Sequence, residues 1–113
     1  MLIFNNLGEM QPYYDKDTNT YEFMKDGKKA SIVLYFDLNI KSSISARDIK
    51  ARDIKAVNIK AVNINAGNIN AWDIKFYAVC CAYKNIKCKS IKGERANYKY
   101  FCLDGEVIIE PEE

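Results

Sequence analysis

The side chains with chemical potential in this chain are four cysteines and a run of lysines, and no histidine accompanies them. Cys80, Cys81, Cys88 and Cys102 have no CxxC spacing, and without histidine there is nothing to complete a mixed metal site. A nucleophilic cysteine would need a Lys or Asp as its base, because the usual neutral-pH base is missing. No GxSxG, Walker loop or paired dinucleotide glycines are present either. These residues read as core cysteines in a reducing compartment. The expectation is no catalytic residue, no metal, no cofactor and no enzymatic activity.

The lysines say more. Between residues 84 and 99 there are 6 basic residues against Glu94 alone: Lys84, Lys87, Lys89, Lys92, Arg95 and Lys99. Ile86, Cys88 and Ser90 alternate with Lys87 and Lys89, which gives a strand with one face inward and one face charged. Such a strip can hold phosphate backbones, with Tyr83, Tyr98 and Tyr100 available for stacking. The competing reading is a solvated face balanced by the acidic stretch from Asp104 to Glu113. The overall net charge is only +2 in 113 residues, so neither end forms a strongly charged tail.

What must position these groups is a repeat. Ile44, Ile49, Ile54, Ile59, Ile64, Ile69 and Ile74 are spaced five apart, with Val79 as an imperfect eighth. On an α-helix, steps of five advance about 140°, so the isoleucines would spiral around the axis and form no stripe. On a flat strand, successive isoleucines would alternate between faces and half would meet water. A chain that turns a corner once per repeat keeps all of them inside, which predicts a β-solenoid.

Each unit reads Ile, polar, Ala, variable, Asp or Asn. Ile and Ala point inward together and the Lys or Asn between them points out. Asp and Asn suit the corner, where they tolerate αL and bond their own backbone. The opposite register would bury Arg47, Arg52 and Trp72 in a narrow coil, and each unpaired buried arginine would cost several kcal/mol.

These units resemble the pentapeptide-repeat family over about 40 residues, or about 60 with degenerate flanks. The order of small and large residues within the unit departs from the family's usual one. The resemblance implies a right-handed, quadrilateral β-helix, one side per repeat. Four repeats per turn would stack residues twenty apart: Ile44 on Ile64, Ile49 on Ile69, Ile54 on Ile74, Ala51 on Ala71 and Val57 on Tyr77. Arg52 would lie on Trp72 as a cation–π pair, and Asp53 would face Asp73. Arg52, Trp72 and Tyr77 then form an exposed strip suited to a protein partner.

The chain reads as a single all-β domain in three parts: an N-terminal β-hairpin cap over 1–38, the solenoid over 39–92, and a C-terminal cap over 93–113. The hairpin turns at Asp26-Gly27 and its second strand runs to Phe36. After Val79 the next isoleucine in phase is Ile86, so two extra residues near Cys80 to Tyr83 imply a bulge or a widened corner. The caps protect edges whose pairing could equally give a homodimer. The apolar start ends at Phe4, too short for a signal segment or membrane span, so a cytoplasmic protein with no membrane partner is expected.

Asn5-Asn6-Leu7-Gly8-Glu9-Met10, Tyr13-Tyr14, Thr18-Asn19-Thr20-Tyr21-Glu22-Phe23, Tyr77-Ala78-Val79-Cys80, Cys88 to Gly93 and Phe101 to Glu106 resemble small pentapeptide-repeat proteins encoded by phages and prophages of low-GC Gram-positive-type bacteria. What that implies is a non-catalytic phage accessory protein that occludes a host defence effector, such as a CRISPR nuclease, within the bacterial cytoplasm. Family members that mimic DNA at gyrase do so with a strongly acidic surface, which this chain lacks. Two alternatives stand beside this: a nucleic-acid-associated module using the basic strip, and a structural or assembly protein.

Overall fold

The computed structural model describes residues 1–111 and is a β-solenoid of about five turns. Its parallel registers define three inward columns, one for each side of the coil. Side A stacks Tyr21, Ile44, Ile59, Ile74 and Ile91. Side B stacks Leu2, Ile32, Ile49, Ile64, Cys80 and Tyr100. Side C stacks Leu38, Ile54, Ile69, Ile86 and Val107. All seven repeat isoleucines are buried, as are Ala46, Ala56, Ala61, Ala66 and Ala71, while Arg47, Arg52 and Trp72 are exposed. The inward register of Ile and Ala therefore holds.

The number of sides does not. Within the regular part, neighbours are fifteen residues apart, Ile44 with Ile59, Ile49 with Ile64 and Ile54 with Ile69, so the coil is three-sided and the quadrilateral turn is corrected. Packing explains the choice. A square coil of the same side length encloses roughly double the cross-section of a triangular one for only one-third more side chains, so walls bearing Ile and Ala fill the triangular interior more closely.

The polar residues agree. A fifteen-residue turn places each Asp of the repeat against an Asn: Asp48 with Asn63, Asp53 with Asn68 and Asn58 with Asp73. The Asn63 and Asn68 amides donate to Asp48 and Asp53 at 3.0 and 3.1 Å. On side C the ladder continues: Asn68 N–H donates to Asp53 Oδ1 (2.9 Å), Asn85 N–H to Asn68 Oδ1 (3.2 Å) and Glu106 N–H to Asn85 Oδ1 (3.1 Å). A twenty-residue turn would have set Asp53 against Asp73. The repeat's Asp and Asn residues also do not supply αL corners; positive φ at non-glycine positions is confined to Asn19 and Asp26 among the described residues. Asp48, Asp53, Asn58, Asn68 and Asp73 begin strands, with the preceding bends at Ala and the variable residue after it, whereas Asn63 lies within the continuous strand Asn58–Ala66.

The extra residues after Ile74 divide between two places. One is taken up by a register shift opposite Ala61 to Asn63, which lets Cys80 fill the inward place beside Ile64 and moves Val79 to the place beside Asn63. The other lies before Ile86, at the corner carrying Tyr83 and Lys84, whose N–H groups bond Ala66 O and Gly67 O.

The coil also runs into both expected caps. Met24–Lys25 and Lys28–Lys29 form the hairpin, with Asp26 at φ 53° and Gly27 at φ 76° as an Asp-Gly turn requires. It is two rungs long, because Tyr21 and Ile32 already pair with the coil. The Leu7–Tyr13 3₁₀ turn closes that end with Met10, while Phe4, Tyr13 and Phe23 meet at ring distances of 5.2–5.6 Å. At the other end Lys99–Cys102 and Val107–Ile109 add a last partial turn. Gly105 has no room for a side chain, since a Cβ would run into Lys84 O.

The turn length can be tested by cross-linking. Lys60→Cys with Lys75→Cys, fifteen apart and outward on adjacent rungs, should form a disulfide under mild oxidation, because adjacent strands bring Cα atoms within bridging range. Lys55→Cys with Lys75→Cys, twenty apart, should not; peptide mapping that found the reverse would restore a four-sided turn. Separately, Gly105→Ala should expose the amides of Val107–Ile109 to faster hydrogen exchange and lower the denaturation midpoint.

Candidate functional site

Three of the cysteines are poorly suited to act as nucleophiles. Cys80 is fully buried on side B, and burial first, then the neighbouring Cys88, Cys81 and Cys102, push its thiol up to about 12. Burial also raises Cys88, with the Asp73 carboxylate adding to it, and burial raises Cys102. All four are free thiols, and no group of three His, Cys, Asp or Glu capable of holding a metal occurs among the described residues. A thiolate is the reacting form, so burial that disfavours it at Cys80, Cys88 and Cys102 makes these three poor nucleophiles at neutral pH.

The basic strip comes apart when the chain coils. Lys84 sits at the corner between sides B and C, Lys87 faces outward on side C, Lys89 sits at the corner between C and A, and Lys92 faces outward on side A. Arg95 follows at the corner after side A, donating its N–H to Tyr77 O, and Lys99 opens the last strand of side B. Six charges adjacent in sequence thus encircle the last turn. Lys87 is also 3.9 Å from Glu110, an exposed ion pair of small energy.

The aromatic strip is rearranged for the same reason. Trp72 does not meet Arg52. It stacks between Val57 and Lys89 through corner hydrogen bonds, and the Lys89 ammonium lies 4.8 Å from its ring centre. Arg52 approaches Asp37 instead, Nε to Oδ1 at 3.5 Å. Tyr77 stands above Val62, not Val57, in the corner column that links Ala61 to the next side.

Two separate surfaces result. Trp72, Lys87 and Lys89 border a groove of about 150 Å³ with Asn70 and Glu110. Tyr77 borders another of about 200 Å³ with Lys29, Lys60 and Lys75. Trp72 and Tyr77 are 55% and 48% exposed and occupy the two corners that bound side A within one turn. Arg52, Lys84 and Lys99 lie away from both grooves.

The sequence reading missed Lys60 and Lys75. They occupy the outward place of side A on successive rungs, continued by Lys92. Fifteen-residue spacing of lysines was the available signal, hidden by the assumption of a twenty-residue turn.

Comparison of the chain with family models, curated proteins and solved structures returns no match.

At neutral pH, iodoacetamide should leave Cys80 and Cys88 unmodified in the folded protein and modify all four cysteines in denaturant. Rapid native modification of Cys80 would overturn the protected-thiol assignment. Because Cys80 binds its proton more tightly folded than unfolded, its contribution to stability is complete below about 9.0 and declines as pH climbs from 9.0 towards about 12. The denaturation midpoint should fall across that window, less so in Cys80→Val.

Proposed function

We propose that this protein is a rigid, non-enzymatic binding protein that acts by covering part of another protein. The observation that carries the reading is the pair of half-exposed aromatics, Trp72 and Tyr77, held at neighbouring corners of the coil. Large aromatics on a rigid backbone lose little entropy on docking and concentrate interface energy. The corner backbone is fixed on both sides, with Trp72 N–H donating to Val57 O at 2.8 Å and Tyr77 O accepting from Arg95 N–H at 2.9 Å.

The narrower reading is a phage-encoded, anti-CRISPR-like antagonist that occludes a host defence effector in the bacterial cytoplasm. Its support is the resemblance of the chain ends to small phage pentapeptide-repeat proteins, together with a surface that offers contact and no reaction. No described helix is long and apolar enough to cross a membrane. A nucleic-acid module built on the C-terminal basic strip is weakened, because its six charges face different sides.

The test is an affinity pull-down of tagged protein from host lysate, with and without nuclease treatment, followed by assay of the captured effector. A single nuclease-resistant protein partner is expected. Trp72→Ala or Tyr77→Ala should weaken its capture by about 2 kcal/mol, roughly thirtyfold, while Lys84→Ala or Lys99→Ala should change it little. If every captured protein disappears with nuclease, occlusion of a protein effector fails.

A further inference from the structure

Side A carries a feature that a surface for protein contact does not require. The outward residues at its successive rungs are Glu22, Ser45, Lys60, Lys75 and Lys92. The one gap between lysine and the N-terminal rung, at Ser45, is filled from outside the coil: Lys29 reaches back from the hairpin and its Nζ donates to Ser45 Oγ at 2.7 Å. Four ammonium groups therefore follow one line along the coil axis.

Like charges directly opposite one another on a sheet repel, and a rung separation of about 4.8 Å keeps these lysines within that range. Neither ion pair found among the described residues involves Lys29, Lys60 or Lys75. The same three lysines border both grooves of side A, of about 320 and 200 Å³. Acidic groups are present: Glu22 and Asp73 in the larger groove and Glu94 in the smaller. Asp73 is engaged by Ser90 Oγ at 2.5 Å.

We propose that the groove between the hairpin and side A is a phosphate-binding site, with Lys29, Lys60 and Lys75 as its cationic wall and Ser45 holding Lys29 in place. Lysine suits this task as a compact charge on a flexible stem, able to follow phosphates along a line. Two sources share that chemistry, a small oligophosphate and the backbone of a single-stranded nucleic acid. The line continuing to Lys92 accommodates either.

The experiment is titration calorimetry at low salt with tripolyphosphate and, separately, with a short single-stranded oligothymidylate. The proteins are the unaltered chain, Lys60→Ala/Lys75→Ala, and a control Lys50→Ala/Lys55→Ala whose lysines lie on sides B and C. Binding of at least one probe is expected, weakened about tenfold or more in the side A variant and little changed in the control. Glu22→Gln should tighten it by removing a carboxylate from the same wall. Binding of both probes identifies phosphate alone as the ligand; binding of the oligonucleotide only, with log affinity falling against log salt at a slope of about −2, identifies a backbone track. Failure of both probes to bind, or equal loss in the two double variants, overturns the site. Circular dichroism of each variant separates loss of binding from loss of fold.

Discussion

Everything in this molecule depends on the stacking of isoleucine on isoleucine every fifteen residues. A β-branched side chain with few rotamers fits the narrow interior of a three-sided coil and leaves its outward neighbour at a defined rung. The same stacking pairs the backbone of each turn with the next, so side-chain burial and hydrogen bonding are satisfied together. Alanine two places on suits most of these bends, and Phe76 takes the same inward place opposite Ala61, buried against the aromatic residues of the C-terminal end.

The polar positions are subordinate to that core but reinforce its period. Asp against Asn gives an amide donor to a carboxylate and turns residues that would otherwise repel into a hydrogen-bonded ladder. On side C those side chains also accept backbone N–H groups from the next turn, so donors near the bends keep partners even where strand pairing lapses. The two added residues between Ile74 and Ile86 are absorbed without losing phase: one gives a bulge, the other lengthens a corner. Cysteine takes an isoleucine's place at 80 because it is small and apolar enough for the disturbed wall.

Function follows from what this arrangement leaves outside. A coil gives residues close in sequence to different sides and residues fifteen apart to one side. The basic run from Lys84 to Lys99 is consequently spread around the last turn, whereas Lys60 and Lys75, with Lys92 beyond and Lys29 from the hairpin, share side A. Corner positions hold the large aromatics, half exposed on a backbone fixed by the turns above and below. A protein built this way offers surfaces and charges in place, and burial raises the thiols of Cys80, Cys88 and Cys102.

The sequence by itself determined the solenoid class and the inward register. A five-residue interval of isoleucine fits no helix or flat strand, and burying arginine is too costly for the alternative register. It also determined the Asp26-Gly27 turn, through local backbone preferences. Only the tertiary structure decided how many sides make a turn. That number is set by how much cross-section Ile and Ala can fill, a property of the assembled coil and not of any one repeat. The expected neighbours that relied on it moved, Trp72 from Arg52 to Lys89 and Tyr77 from Val57 to Val62, and it set Lys60 and Lys75 on one side of the coil.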